Sequence, residues 1–317
     1  MKKTRRILVA ISDLHHVPGA VLRRTAALAR ATGARVELFH AVTAPLTESK
    51  RLRKQLMALE LAPGESLGVA QKALERIARS KLLQGCRMQS LAVWDKPAHE
   101  AIVRRALATH SDLIINGTRS RGLANRMLLR HTDWELVRHS PVPLLLVKSD
   151  RQTRKAVVLA AIDPLHANSK PARLDGRILD AAAGMAKALR GTVHAFHAYL
   201  PVSVMLAAGI SEPMMWDSAT VDAEQAQQVV REFTRALRHS GIPPSRRHLR
   251  VGGAAIELAE CAARIRATLV VMGAVSRSRF ERLLIGNTAE RVLDELACDV
   301  LIVKSDGLKK RAVARKA

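Results

Sequence analysis

An internal repeat is the strongest constraint on what this chain can fold into. Three pairs of segments match at an offset of 156 or 157 residues: Arg35–Val42 with Thr192–Tyr199, Asp112–Gly117 with Thr268–Gly273, and Leu144–Asp150 with Val300–Asp306. One offset shared by distant segments indicates two copies of a single structural unit. The 317 residues are therefore predicted to form two domains, 1–150 and 151–306, followed by a basic tail, 307–317.

Within each copy, short runs of branched apolar residues alternate with longer helix-like patterns. The predicted strands are Arg6–Ile11, Arg35–Val42, Met88–Val93, Leu113–Gly117 and Pro143–Lys148 in the first copy, and Ala156–Ile162, Thr192–Tyr199, His248–Val251, Leu269–Gly273 and Asp299–Lys304 in the second. The predicted helices are 19–32, 64–81, 98–110 and 132–139, then 175–189, 221–240, 254–268 and 287–297. This alternation predicts an α/β fold with two tandem five-stranded parallel sheets, each strand buried on both faces.

The most unusual feature of the composition is a net charge of +24, from 52 basic and 28 acidic residues. Such a charge favours polyanionic partners, because phosphate backbones attract positive fields. The surplus is spread over both halves of the chain, +14 in 1–150 and +10 in 151–317 with the tail included, and eight aromatic residues are few for stacking bases. Nucleic acid is therefore disfavoured, and a solvated arginine-rich surface is the simpler interpretation.

Membrane insertion, a disulfide framework and a metal site find no support in the sequence. Charge interrupts every hydrophobic stretch well before the roughly 18–20 residues that a membrane helix needs. The basic start is not followed by a cleavage-type site. Three scattered cysteines, Cys86, Cys261 and Cys298, are expected to be buried thiols. We expect a cytoplasmic protein without membrane insertion.

Small and polar residues follow the first and fourth predicted strands of the second copy, where open parallel sheets bind ligands. Asp163 follows the first strand directly, and Gly273 ends the fourth. Glycine lets the backbone approach a phosphate closely, and free N–H groups at a helix start attract anions. The candidate binding residues are Asp163, Gly273, Ser276, Arg277, Gly286, Asn287 and Thr288.

The second copy reads Gly273-Ala-Val-Ser276, nine residues, then Gly286-Asn287-Thr288. This stretch resembles the loop G-x-x-G, nine residues, G-[S/T] of nucleotide-binding universal stress proteins. Val271–Ser278, Ile285–Val292 and Thr132–Leu136 are similar to the tandem two-domain subfamily. The resemblance implies a Rossmann-like fold of the adenine nucleotide alpha hydrolase type. It also implies ATP or another adenine nucleotide as ligand, and a role in survival under stress.

The family pairs its domains through their last strands. The resemblance therefore implies a pseudo-dimer of the two copies, in contact through 143–148 and 299–304, and a homodimer as a further assembly. It does not identify a magnesium site.

The two copies depart from the family loop to different degrees. In the second copy Ser276 replaces a glycine, and the hydroxyl moves by one place to Thr288. In the first copy Gly117 remains, but Ser120 replaces the second glycine, Arg130-His131 replaces Gly-Ser, and Ser12 stands where the second copy has Asp163. The first copy is therefore not expected to be a standard ATP site.

Each candidate residue also has a purely structural interpretation. Gly273 and Gly286 suit a tight turn and a helix start, and Asn287 and Thr288 suit helix capping without a ligand. Arg277 equally suits a solvated face. His40 and His197, which recur in both copies, are expected in the core or at an interface.

No catalytic set is recognisable, because the sequence lacks a nucleophile elbow, a P-loop and a metalloprotease motif. At most, slow ATP hydrolysis is compatible with the loop. Three functions stay open: a nucleotide-binding stress sensor or adaptor, a nucleotide-free adaptor or carrier of an apolar ligand, and a weak nucleic-acid binder. The second of these would use the Met-rich segment 201–216, read here as an apolar loop.

Overall fold

A computed structural model describes residues 4–43, 63–118, 131–150, 155–166, 173–207, 218–273 and 292–304. The described residues form two compact units, one ending at Asp150 and the other beginning at Lys155. Each unit consists of a parallel sheet with helices between its strands, as the repeat predicts.

The first unit contains five strands and four α-helices within the described ranges. In chain order these are β1 (Arg6–Ala10), α1 (Gly19–Thr32), β2 (Arg35–Val42), α2 (Pro63–Ala78), β3 (Arg87–Trp94), α3 (Ala98–Ala108), β4 (Leu113–Gly117), α4 (His131–His139) and β5 (Leu144–Val147). All neighbouring strands run parallel, in the order β3-β2-β1-β4-β5.

The second unit repeats this order. Its described elements are β6 (Val157–Ala161), α5 (Leu174–Ala188), β7 (Thr192–Tyr199), α6 (Val202–Ala207), α7 (Ser218–Ala236), β8 (Arg247–Val251), α8 (Ala254–Arg264), β9 (Leu269–Gly273) and β10 (Asp299–Val303). The strand order is β10-β9-β6-β7-β8, again parallel. The predicted fold class, two tandem five-stranded parallel α/β sheets, is confirmed.

The central strands form the core of each unit. Leu8, Val9 and Ile114 in the first unit, and Leu159 and Val270 in the second, are fully buried. Consecutive residues of β1 and β4 are buried, so both faces of these strands are covered by helices. Each large apolar side chain removed from water in this way contributes about 1.5–3 kcal/mol.

The chain reverses its direction of winding once in each sheet. It runs outward through β1, β2 and β3, then returns to place β4 on the other side of β1. The second unit does the same with β6 and β9. At such a reversal the connections leave the two central strands toward opposite faces of the sheet, which opens a crevice at their carboxyl ends.

Helix ends repeat in both units at the offset seen in the sequence. His110 and Arg266, 156 residues apart, both adopt left-handed backbone conformations, with φ of 50° and 54°. In each case the next residue donates a backbone hydrogen bond to the helix it follows, Ser111 to the Ala106 carbonyl and Ala267 to the Ala262 carbonyl. The predicted helix 254–268 therefore ends at Arg264, because this turn closes it.

Two further predictions differ in detail from the structure. The Met-rich segment, read as a loop, begins with the short helix α6, Val202–Ala207. Its residues 208–217 lie outside the described residues. Cys261 and Cys298 are buried as expected, but Cys86 is partly exposed, and all three are free thiols.

No described helix has the length and apolar character needed to cross a membrane.

Gly117, the last residue of β4, allows α1 to pack closely on the sheet. A Cβ atom at this position would lie 2.6 Å from Cγ2 of Val21, a fully buried side chain. Val21 cannot move aside easily, because a β-branched side chain in a helix has one strongly preferred rotamer. Gly273 has the same role at the end of β9, facing Leu174 at 2.8 Å.

We predict that Gly117→Ala destabilises the first unit by about 1–3 kcal/mol, the cost of overpacking a core. Gly68→Ala is the matched control, since nothing lies within 4 Å of its Cβ position in α2, and it is expected to stabilise by roughly 0.5–1 kcal/mol. Urea unfolding followed by circular dichroism measures both. Equal midpoints for the two variants would contradict this account of the glycine.

Lys304, directly after β10, is 3% exposed, and burial lowers its pKa to about 8 from 10.5. The unfolded chain therefore binds more protons between pH 8 and 10.5, and this lysine makes the free energy of unfolding rise with pH across that window. The contribution is about 3 kcal/mol in total. Thermal melts of the native chain and of Lys304→Met at pH 7.5 and 10 test this; the difference between the two proteins should change with pH. A constant difference would rule the effect out.

Candidate ligand site at the strand ends

A cleft of about 390 Å³ lies at the carboxyl ends of the central strands of the first unit. Its walls are the ends of β1, β2 and β4 and the first turns of α3 and α4. The polar side chains that line it are Ser12, His40, Thr43, Asn116, Thr132 and Asp133. The volume is within the range of small-molecule sites, about 300–1,000 Å³.

A buried pair of polar side chains forms one side of this cleft. The Nδ2 group of Asn116, on β4, donates a hydrogen bond of 2.6 Å to Oδ1 of Asp133, in the first turn of α4. Both residues are at most 3% exposed. A carboxylate at a helix start is stabilised by the helix dipole. Asp133 therefore occupies the place where an anionic ligand would otherwise gain that stabilisation.

His40, at the end of β2, does not add positive charge to the cleft. Burial lowers its pKa below the ordinary 6.5, with partial opposition from its hydrogen bond to the Ile11 carbonyl. Because a carbonyl only accepts, Nδ1 of His40 carries the proton in this 2.7 Å contact. His197 makes the equivalent contact, 3.1 Å from Nδ1 to the Ile162 oxygen. The repeated histidines thus connect the second strand to the end of the first, consistent with a core role.

In the second unit, strand pairing brings two of the predicted site residues together. Ala161 lies opposite Met272, so Asp163 and Gly273 follow adjacent positions of β6 and β9. The Asp163 side chain is 35% exposed, and its Oδ1 lies 3.9 Å from Nδ1 of His197. Its backbone N–H donates to Oδ1 of Asp175 on α5, at 3.2 Å. Asp163 is therefore held at the crevice with part of its carboxylate in solvent.

The other predicted site residues lie outside the described residues. These are Ser276, Arg277, Gly286, Asn287 and Thr288, together with Ser120 and Arg130 of the first copy. His131 is described and is the first residue of α4.

The two copies differ in the residues that stand at the crevice. At the 156-residue offset Asn116 and Asp133 correspond to Met272 and Ala289. The ends of the first strands are 151 residues apart, which aligns Ser12 with Asp163. Both copies thus have an acid after the first strand, Asp13 beside Ser12 in the first copy and Asp163 in the second, but only the first copy has one at the position of Asp133. Sequence inspection for family motifs missed this difference, although an alignment of the two copies contains it.

A group of ionisable side chains beside the first cleft was also not predicted. Oε2 of Glu135 lies 3.1 Å from Nε2 of His139 and 3.8 Å from Nε2 of His99. Burial opposes ionisation of Glu135, but the hydrogen bond from Arg138 and the two histidines keep its pKa below the usual value. The spacing of His131, Glu135 and His139 along one helix face is the sequence signal. No set of side chains suited to holding a metal is present in the described ranges.

These observations define a class of protein: tandem Rossmann-like α/β units, each with a crevice where the strand order reverses. The model of the universal stress protein family matches residues 3–148 and 158–304. The chain therefore belongs to the universal stress protein family and contains two copies of its domain.

Relatives and solved structures agree with this assignment over most of the chain. Universal stress protein E of Escherichia coli K12 is 26% identical over 233 residues, 72% of each chain. Universal stress protein E of Photorhabdus laumondii is 22% identical over 317 residues, covering 95% of this chain and 96% of that one. A Pseudomonas aeruginosa protein of unknown function has a similar structure, with a TM-score of 0.71, 25% identity, and coverage of 99% and 98%.

The Asn116–Asp133 pair predicts non-additive mutations. Asp133→Ala is expected to cost about 1–3 kcal/mol, because it leaves the buried Asn116 amide without its acceptor. Asn116→Met together with Asp133→Ala copies the residues of the second domain and is expected to cost less than the sum of the single changes, by about 0.5–3 kcal/mol. Urea unfolding of the four proteins measures this coupling. Strict additivity would mean that the hydrogen bond contributes nothing.

Proposed function

We propose that this universal stress protein binds an adenine nucleotide or a related anion through its second domain, and acts as a stress sensor or adaptor rather than as a fast enzyme. The proposed ligand contacts are Asp163, Gly273, Ser276, Arg277, Gly286, Asn287 and Thr288. The stress-response role follows from family membership.

The observation that carries the proposal is the pairing of β6 with β9. It brings Asp163 to the position beside Gly273, from which the loop with the family spacing starts. A polar group at the end of the first strand and a glycine at the end of the fourth are the two groups that such a crevice needs to hold a ligand and admit a phosphate.

Comparison of the two domains supports the second as the anion site. In the first domain the buried carboxylate of Asp133 stands at the start of α4 and repels phosphate. The corresponding residue of the second domain is Ala289, which has no charge. The first domain therefore keeps the crevice but not the electrostatics of a phosphate site.

An apolar-ligand carrier is the second candidate, favoured by one observation. None of the residues of α6 is buried, and Val204 on this helix is 47% exposed. Hydrogen bonds to α7 hold the helix in place, including that from the Ser203 backbone N–H to Oδ1 of Asp222 at 3.1 Å. Mass spectrometry of ligands extracted from the purified protein would identify a hydrophobic metabolite if this function is correct.

Calorimetry with ATP tests the nucleotide proposal. The native chain is expected to bind one ATP, and Gly286→Arg, which copies Arg130 of the first domain, is expected to weaken binding at least tenfold by filling the phosphate space. Asp163→Ser, which copies Ser12, should weaken it by a smaller factor. Identical heats for the native chain and Gly286→Arg, or no heat at all, would overturn the proposal.

Gly68→Arg is the matched control for the added charge and bulk. Gly68 is exposed on α2 of the first domain, with nothing within 4 Å of its Cβ position. This variant should bind ATP as the native chain does, since it adds the same side chain to the other domain.

A further inference from the structure

Two histidines on the outer strands of the second domain form a hydrogen-bonded pair. Nδ1 of His194, on β7, lies 2.9 Å from Nε2 of His248, on the edge strand β8. The rings are nearly parallel, at 4°, with centroids 5.2 Å apart. Both residues lie near the amino ends of their strands, so the pair is at the opposite end of the sheet from the crevice described above.

Arginines surround this pair. Side chains alternate between the two faces of a strand, so His248 and Arg250 share one face of β8, and Arg246 immediately precedes that strand. Arg264 lies in the last turn of α8 and, like Arg250, acts electrostatically on both His248 and the buried Cys261 thiol. Arg246 acts in the same way on His194, so the positive charge of three arginines is felt by the two imidazoles at the sheet edge.

These arginines are not neutralised by nearby acids. Within the described part of the chain, none of Arg246, Arg250 and Arg264 forms an ion pair with a carboxylate. The Nε of Arg250 is buried and has no hydrogen-bond partner among those residues. A buried donor of this kind costs free energy unless a ligand or water satisfies it.

The charged groups packed against the pair are few. The helix α8 contributes Glu257, which approaches Cys261, and the exposed Glu260, besides Arg264 itself. On the opposite face of β7, His197 stacks on Phe233 of α7. Positive charge therefore predominates around the imidazoles.

We propose that His194, His248, Arg246, Arg250 and Arg264 form a binding site for a small, multiply charged oxyanion of the phosphate class, and that binding is coupled to the uptake of one proton. The site is separate from the proposed nucleotide loop and does not depend on it.

The proton count follows from the chemistry of the pair. One ring donates and the other accepts in the internal hydrogen bond, so of the two outward nitrogens, Nε2 of His194 and Nδ1 of His248, one donates and one accepts in either tautomer. One added proton turns the outward acceptor into a second donor, which suits an oxyanion. A second proton would break the internal bond. The pair therefore takes up one proton.

The electrostatics agree with such coupling. Burial lowers the pKa of both histidines, Arg246 lowers that of His194 further, and His194, Arg250 and Arg264 lower that of His248 further. The pair is thus neutral at pH 7 without ligand. A bound oxyanion offsets the arginines and raises the pKa of the pair, so the complex takes up a proton and binding tightens as pH falls.

Titration calorimetry with pyrophosphate tests the site, using the full chain carrying Gly286→Arg to block the proposed nucleotide loop. Measurements at pH 6 and 7.5, each in two buffers of different ionisation enthalpy, give the number of protons taken up. We expect tighter binding at pH 6 and uptake of up to one proton. Binding without proton uptake and without pH dependence would overturn the proposal.

Three variants, each made in the chain that carries Gly286→Arg, test which residues bind pyrophosphate. Arg250→Met should weaken pyrophosphate binding about tenfold or more, and His248→Gln should abolish proton uptake while leaving weaker binding. Arg231→Met, on the exposed surface of α7, removes the same charge from the other side of the sheet and should change little. Equal losses in Arg250→Met and Arg231→Met would show diffuse attraction to the basic chain and would also overturn the proposal.

Histidine NMR titration of the unmutated chain tests the site even if a variant folds poorly. In the unmutated chain, pyrophosphate should raise the apparent pKa of the two coupled imidazoles. An unchanged titration of the pair at saturating pyrophosphate would count against the site. Because ATP binding and this titration are measured separately, failure of one proposal does not imply failure of the other.

Discussion

The parallel pairing of the first and fourth strands determines where this protein can bind anything. In both domains these strands are buried on both faces, and each has a neighbour on either side, so their side chains are used for packing. Only the residues just beyond the strand ends are free of that constraint. Gly117 and Gly273 belong to the packing: each lets the helix after the first strand approach the sheet. A phosphate loop that begins at Gly273 therefore starts from a position that the fold itself requires to be glycine.

Duplication allowed the two crevices to diverge without changing this framework. In the first domain Asp133 lies at the helix start and accepts a hydrogen bond from Asn116. In the second domain this position is Ala289, and Asp163, after the first strand, lies 3.9 Å from His197. Asp133 therefore puts negative charge at the helix start of the first domain, and the corresponding residue of the second domain, Ala289, carries none. The divergence is one of charge placement, since the strand order and the repeated histidine contacts to Ile11 and Ile162 are kept.

The sequence predicted the fold well because apolar strands and repeated segments carry long-range information. Strands Arg35–Val42 and Leu269–Gly273 were predicted to the residue. Helix ends were less predictable, because Arg264 ends α8 through a left-handed turn at Arg266, a conformation that arginine does not signal. The position of Asp163 and Gly273 at the ends of neighbouring strands could be predicted from the strand pattern, and their role in binding stays a prediction. The Asn116–Asp133 bond and the His194–His248 pair could not be predicted, because they depend on side-chain distances across strands and helices.

Many of the arginines that give the chain its large positive charge have a structural role. Arg30 donates to the carbonyls of Leu82 and Gln84, Arg6 to that of Thr109, and Arg247 to that of Ile242. Arg105 pairs with Glu37, and Arg104 with Asp95 and Glu100. A guanidinium presents five donors in a planar fork, so it can bridge several carbonyls at loop and helix ends, which a lysine could not do. This difference accounts for the preference for arginine. Arginines used in this way stabilise the fold and do not indicate a binding partner. The arginines that matter for recognition are those without such a carbonyl or carboxylate, and the three beside the His194–His248 pair meet that criterion within the described chain.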